Sequence, residues 1–229
     1  MIEADVVNSM NEYLLKHGIC YANEIRMGIG IPDISFNLGG NRRIKCVDDY
    51  YLISIWDYVF EKKRTTINEI KEKFRFSINK VKKYVFQLVS MKLAAIKNEV
   101  IWSIYNIKEV NLGITISVEA KISDWKNGLI QAQRYLLFSD YSYLALPVKN
   151  TKHVDCKLLE EYGIGLISIG EKDLEEVIPA RKSMECKYDL KYMHTSVIFD
   201  RYKKNNHIYI RKKENAFSKL IRENSCNNN

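Results

Sequence analysis

A mixed α/β fold is what this sequence predicts: a core of strands flanked by helices, interrupted by a separate, basic, helical module. Three observations predict it. Short runs rich in β-branched residues, with apolar and polar positions alternating, lie between helical patterns on both sides of the middle of the chain. The middle differs in charge: from Asp57 to Lys108 there are 12 Lys and Arg against 5 Asp and Glu, a local +7 within the net +8 of the 229 residues. The flanking pieces, residues 1–48 and 109–180, read in order as helix, strand, strand, strand, helix, strand. They form one sheet if residues 49–108 are an insertion, because consecutive strands usually pair.

Composition sets the outer bounds. At 46% hydrophobic and 28% charged, the chain can bury one good core and a smaller module. Uncharged stretches are broken within a dozen residues, so no membrane helix and no membrane partner is expected. The start, "MIEADVVNSMNEYLLKHG", is acidic and amphipathic, unlike a secretory leader. Five cysteines with no CxxC pair argue against zinc ribbons and disulfide frameworks and point to a reducing, cytoplasmic setting. A pI near 9.1 favours a polyanionic partner.

The first helix carries the apolar stripe Ile2, Val6, Met10, Tyr13 and Leu14, and Glu3 lies within that stripe while Glu12 lies opposite. An acid on a buried face needs a partner. "MGIGIPDISFNLGG" follows, where Gly28, Gly30 and Pro32 mark a turn. Asp33 then heads a short strand, on the polar side with Ser35, while Ile34 and Phe36 face the other way.

In the insertion, "YLISIWDYVFEKK" gives one helix, and "TTINEIKEKFRF" opens a second with Thr66 and Glu69 in capping-box spacing. Ser77 caps a third, whose buried stripe is Ile78, Val81, Val85 and Leu88 and whose outer face carries Asn79, Lys82, Lys83 and Phe86 with Lys80 beside them. "LAAIKNEVIWSI" reads as a hairpin around Lys97, Asn98 and Glu99. Three helices and a hairpin resemble a winged helix. The resemblance implies duplex DNA binding, with Lys80, Lys82, Lys83 and Lys97 on phosphates and Asn79 reading bases. A helical module that packs on the core or on a partner protein is the other reading.

"TISVEAKISDW" is the third core strand: Ile114, Ile116, Val118 and Ala120 share one face, and Thr115, Ser117, Glu119 and Lys121 the other, which is expected to be wetted. Pairing with the Asp33 strand brings Asp33 to Glu119 and Lys121. Grouped carboxylates repel, so Glu3, Asp33 and Glu119 together would call for a divalent cation, and all-oxygen ligands suit Mg²⁺ or Mn²⁺. Asp124 caps the next helix, in which Gln131 and Tyr135 share a flank with Gly128, and "YSYLALP" is the last core strand.

"PD" at 32–33, "EAK" at 119–121 and the Gln131, Tyr135 spacing resemble the PD-(D/E)xK nucleases. The resemblance covers about residues 1–48 and 109–170 and implies a restriction-endonuclease-like αβββαβ core. It implies that Asp33 and Glu119 hold the metal, that Glu3 assists, and that Lys121 orients or activates water and offsets charge in the transition state. Gln131 and Tyr135 would hold the phosphate backbone or the lysine. The expected activity is a metal-dependent DNA nuclease, an endonuclease in the first instance. A non-catalytic DNA-binding regulator and an RNA-processing nuclease remain open, as does a homodimer. Residues 181–229 read as a basic tail ending in a disordered "NSCNNN".

Overall fold

A computed structural model describes residues 2–170 and 173–205, and the basic run beyond Asn205 with its terminal "NSCNNN" lies outside the described residues. Glu3–Lys16 forms helix α1, with Val6, Met10 and Leu14 buried at helical spacing. Gly18, at φ +67, closes it, and the Ile19 N–H returns to the Leu14 carbonyl at 3.0 Å. The chain then runs through β1 (Cys20–Asn23) and β2 (Ile34–Leu38).

The insertion follows as α2 (Tyr50–Lys62), β3 (Thr65–Thr66), α3 (Ile67–Phe74), α4 (Ile78–Ser90), β4 (Ala94–Lys97) and β5 (Val100–Ser103). Thr66 and Glu69 form the capping box of α3, and Ser77 caps α4. The β4–β5 turn places Asn98 at φ +50 and Glu99 at φ +63, the two-residue geometry that suits strand twist. These strands make a separate sheet in the order β3-β5-β4. In α4 the buried residues are Val81, Tyr84, Val85 and Leu88, whereas Ile78 is exposed, because the stripe begins one turn later than its apolar spacing suggests.

The core resumes with β6 (Ile114–Ala120), α5 (Trp125–Tyr135), β7 (Tyr141–Pro147), the short helices α6 (Val148–Thr151) and α7 (Cys156–Tyr162), β8 (Gly165–Ile169), β9 (Leu174–Ile178) and α8 (Tyr188–Asn205). The main sheet has the order β1-β2-β6-β7-β8-β9. Its β6, β7 and β8 run parallel, while β1, β2 and β9 join antiparallel. The protein is thus mixed α/β, built on a mixed six-stranded sheet. Helix α1 covers one face through Val6, Met10 and Leu14 against Phe36, Val118 and Tyr143. On the other face Leu129 and Ala132 of α5 and Leu159 of α7 pack with Leu144 and Leu166.

Residues 181–205 correct the expectation of a basic tail. Helix α8 buries Leu190, Tyr192, Met193, Ile198 and Phe199, and with them His194, Thr195 and Ser196. Being buried almost all round, it has no apolar stripe for the sequence to display. It also ties the insertion to the core, since the Trp56 and Tyr192 rings meet edge-on at 5.1 Å within one cluster shared by α2, β1 and α8. Among the described residues, no helix is long and apolar enough to cross a membrane.

Candidate active site

The site grows out of one strand register. β2 and β6 pair antiparallel, with Ile34 opposite Val118, Ser35 opposite Ser117 and Asn37 opposite Thr115. Continuing by one residue sets Asp33 opposite Glu119, and side chains opposite one another share a face. A ladder of polar pairs therefore climbs one face of the sheet and ends in two carboxylates.

That face is not wetted, contrary to the expectation from alternation alone. Thr115, Ser117 and Glu119 are buried, because other polar groups cover them. Thr195 of α8 meets Thr115 at 2.6 Å between hydroxyl oxygens, Ser139 meets Ser117 at 2.7 Å, and His194 Nε2 lies 2.8 Å from Ser35 Oγ. Burying polar groups is tolerable when each finds a partner. Total burial holds His194 far below the usual imidazole range, to about 3, so it is a neutral member of this layer.

At the upper end of the ladder the predicted residues come together. The Asp33 carboxylate accepts the Ala120 N–H at 2.7 Å, and Lys121 Nζ donates to Glu119 Oε1 at 2.6 Å. The Tyr135 hydroxyl lies 2.5 Å from Glu119 Oε2 and 3.1 Å from the Ile31 carbonyl. Its single proton goes to the nearer, charged acceptor. Tyr135, expected to hold the phosphate backbone or the lysine, is buried with its hydroxyl on Glu119, the carboxylate to which Lys121 also donates. Gln131 lies one turn earlier on α5, half-buried.

Glu3 departs from expectation in its burial. It shares a helix face with Val6 and Met10 but lies at the first position of α1, and its side chain is 55% exposed. It still faces the site, with its carboxylate 4.0 Å from Lys121 Nζ. Two glycines that hold this geometry carry no signal of that role in the sequence. A Cβ on Gly30 would stand 2.7 Å from the Tyr135 ring, and one on Gly128 would stand 2.5 Å from Leu144 Cδ1 and 2.9 Å from Lys121 Cγ. Gly128 therefore makes the groove in which the Lys121 stem lies.

Burial pushes the Asp33 carboxyl above its usual range, with Glu3 and Glu24 adding to the rise and the Ala120 N–H and Lys121 opposing it. Burial likewise raises Glu119, against the hydrogen bonds from Lys121 and Tyr135. For Lys121, burial works to lower the pKa, but the bond to Glu119 and the charges of Glu119, Glu3 and Asp33 outweigh it, and the net shift is upward. Tyr135 is raised by burial and by Glu119. Three carboxylates thus face one ammonium, and their oxygens are hard donors suited to Mg²⁺ or Mn²⁺. Among the described residues, no set of three or more His, Cys, Asp or Glu side chains is gathered closely enough to hold a metal ion as it stands. The donor chemistry fits a divalent cation, and Lys121 must release Glu119 Oε1 before that oxygen is free.

On the insertion, Asn79, Lys82 and Lys83 lie on the exposed side of α4 around Phe86, which is 75% exposed. Lys80 departs from this row, with Nζ 3.8 Å from the Phe76 ring centre and 4.9 Å from that of Tyr51. Lys97 ends β4 at the hairpin turn. Compared with known proteins, the chain matches no family model, no curated protein and no solved structure.

Proposed function

We propose that the protein is a metal-dependent DNA nuclease, a PD-(D/E)xK enzyme whose restriction-endonuclease-like core carries a winged-helix insertion. The observation that supports it most is the convergence of Asp33, Glu119 and Lys121 at the end of two paired strands, although the insertion separates them in sequence. The insertion supports the targeting role through its β3-β5-β4 sheet beside three helices and the lysines on the open face of α4.

Asp33 and Glu119 would hold Mg²⁺ or Mn²⁺, with Glu3 on the open side. When bound, such an ion offsets phosphate charge and lowers the pKa of an attached water. Lys121 keeps its proton at neutral pH, since its pKa is raised. Its part is therefore that of a cation beside the phosphate, stabilising charge that develops on the non-bridging oxygens, rather than that of a base. Tyr135 fixes Glu119 by donating to Oε2 and so leaves Oε1 as the exchangeable oxygen. The closed Lys121–Glu119–Tyr135 cluster favours a second reading, a DNA-binding regulator that keeps the core as scaffold. Plasmid, linear duplex and single-stranded DNA incubated with Mg²⁺, Mn²⁺ or EDTA separate the two. Cleavage with either metal and none in EDTA is the expected result.

A further inference from the structure

A concave site lies on the insertion, between the exit of α2 and the outer side of the β4–β5 hairpin. It is a pocket of about 550 Å³ whose walls include Phe60, Lys63, Arg64, Lys97, Asn98 and Trp102. This volume falls within the range of small-molecule sites, about 300–1,000 Å³. Among the described residues, no carboxylate lines it.

Trp102 is the first unusual feature. Along β5, Ile101 points into the core, so Val100 and Trp102 point outward, and both line the pocket. Trp56 and Trp125 each pack with a hydrophobic cluster, whereas among the described residues Trp102 belongs to none. A half-buried indole that serves no core is available to a ligand.

The rim is the second. Lys63 has φ +62 and ψ −45, and the Arg64 N–H closes back on the Lys62 carbonyl at 2.7 Å. That is a γ-turn of the rare, strained hand, and strain of this kind collects at ligand sites. The turn sets two consecutive cations at the pocket edge, and Lys97 lines the same pocket from β4, on the other side of β5. An aromatic wall with cations around it is complementary to a nucleotide, whose base has a π-face and whose phosphates are anionic.

We propose that this pocket takes one unpaired nucleotide of a nucleic-acid strand, with the base against Trp102 and the adjoining phosphates on Lys63, Arg64 and Lys97. The proposal rests on the DNA-binding reading of the insertion and deepens it. A paired base is stacked within its duplex and cannot enter, so the favoured partner is a duplex with a single-stranded end or gap.

The test is fluorescence anisotropy with the full chain in EDTA, which prevents cleavage. The probes are a blunt duplex, the same duplex with a short overhang, and that overhang with abasic residues, with free AMP as competitor. The expected result is about tenfold tighter binding to the overhang than to the blunt or abasic DNA, the effect of one base stacked on an aromatic. Trp102→Leu should remove that advantage. Lys63→Gly should reduce it while relieving the strained backbone, so a folded variant is available even if the tryptophan change harms the protein. An overhang advantage that survives both changes would overturn the proposal. Competition by AMP without any overhang advantage would assign the pocket to a free nucleotide and overturn it as well. Blunt duplex bound equally to the other two sinks this proposal alone, and no binding to any DNA sinks the nucleic-acid reading with it.

Discussion

The Asp33 carboxylate accepts the main-chain N–H of Ala120, the residue between Glu119 and Lys121, at 2.7 Å. The first acid is thus tied to the backbone of the strand that carries the other two groups. The neck of the insertion is closed just below: Asn37 Nδ2 donates to the Leu112 carbonyl at 2.7 Å and to Thr115 Oγ1 at 3.0 Å, and its Oδ1 accepts from Gly40 N–H at 3.1 Å. Gly113, at φ +63, lets the returning chain pass, since a Cβ there would stand 2.3 Å from the Leu38 carbonyl. A long insertion at a hairpin tip adds little closure cost and leaves the register intact.

Gly128→Ala tests the seat of Lys121. The new methyl meets Leu144 and the lysine stem, and overpacking of this kind costs about 1–3 kcal/mol. Alanine's better helix propensity returns about 1 kcal/mol. Thermal or urea denaturation should therefore show a small loss of stability, whereas cleavage should fall at least tenfold because Lys121 is displaced. A variant with unchanged activity would mean that the lysine's position is not critical.

The raised carboxyls give a pH dependence with a definite sign. Burial lifts the pKa of Asp33 above its unfolded value, so its contribution to stability is complete below the ordinary carboxylate range, near pH 4, and is lost as pH rises through the raised value. Asp33→Asn keeps an acceptor for the Ala120 N–H and removes the charge. In melting experiments without metal it should be more stable than wild type at neutral pH, with the advantage shrinking towards about pH 4. Added Mg²⁺ should stabilise wild type at neutral pH and leave the variant nearly unmoved. Parallel pH profiles for the two proteins would show that Asp33 is not under this strain.

Much of this site can be read from residue order. Asp33 and Ser35 against Ile34 and Phe36, and Glu119 and Lys121 against Val118 and Ala120, give strand faces directly, and strand order brings the faces together. What hides is the cover. His194, Thr195 and Ser196 look like surface residues, yet they are buried because each bonds to a group far away in sequence. Gly30 and Gly128 matter through close approach to Tyr135 and Lys121, which no local pattern encodes. The exposure of Glu3 is hidden in the same way, because helical periodicity gives its face but not where the sheet ends.

Glu3→Gln, with Glu12→Gln as the matched control, tests the outermost acid. An ion pair this exposed contributes about 0–1 kcal/mol, so metal-free stability should barely change. Cleavage at limiting Mg²⁺ should fall severalfold and recover at higher Mg²⁺, while Glu12→Gln behaves as wild type. Identical Mg²⁺ titrations for both variants would remove Glu3 from the site.

The open face of α4 should govern duplex affinity. Replacing Lys82 and Lys83 with Ala should weaken binding and reduce the log–log salt slope by about 0.9 for each phosphate that is no longer neutralised. Asn79→Ala should relax sequence preference while the slope stays. Binding isotherms at several salt concentrations distinguish these, and three unchanged isotherms would make the insertion a protein-contact module.

The most direct test of the central claim is the rate of supercoiled plasmid cleavage in Mg²⁺ by wild type, Asp33→Ala and Lys121→Ala, each shown to be folded and to bind DNA. Wild type is predicted to cut, and both variants to fall by at least about 10²-fold in rate, as when one transition-state interaction is removed from an enzyme. Equal rates for the three proteins, or no cleavage by wild type with either Mg²⁺ or Mn²⁺, would contradict the assignment of Asp33, Glu119 and Lys121 as a nuclease centre.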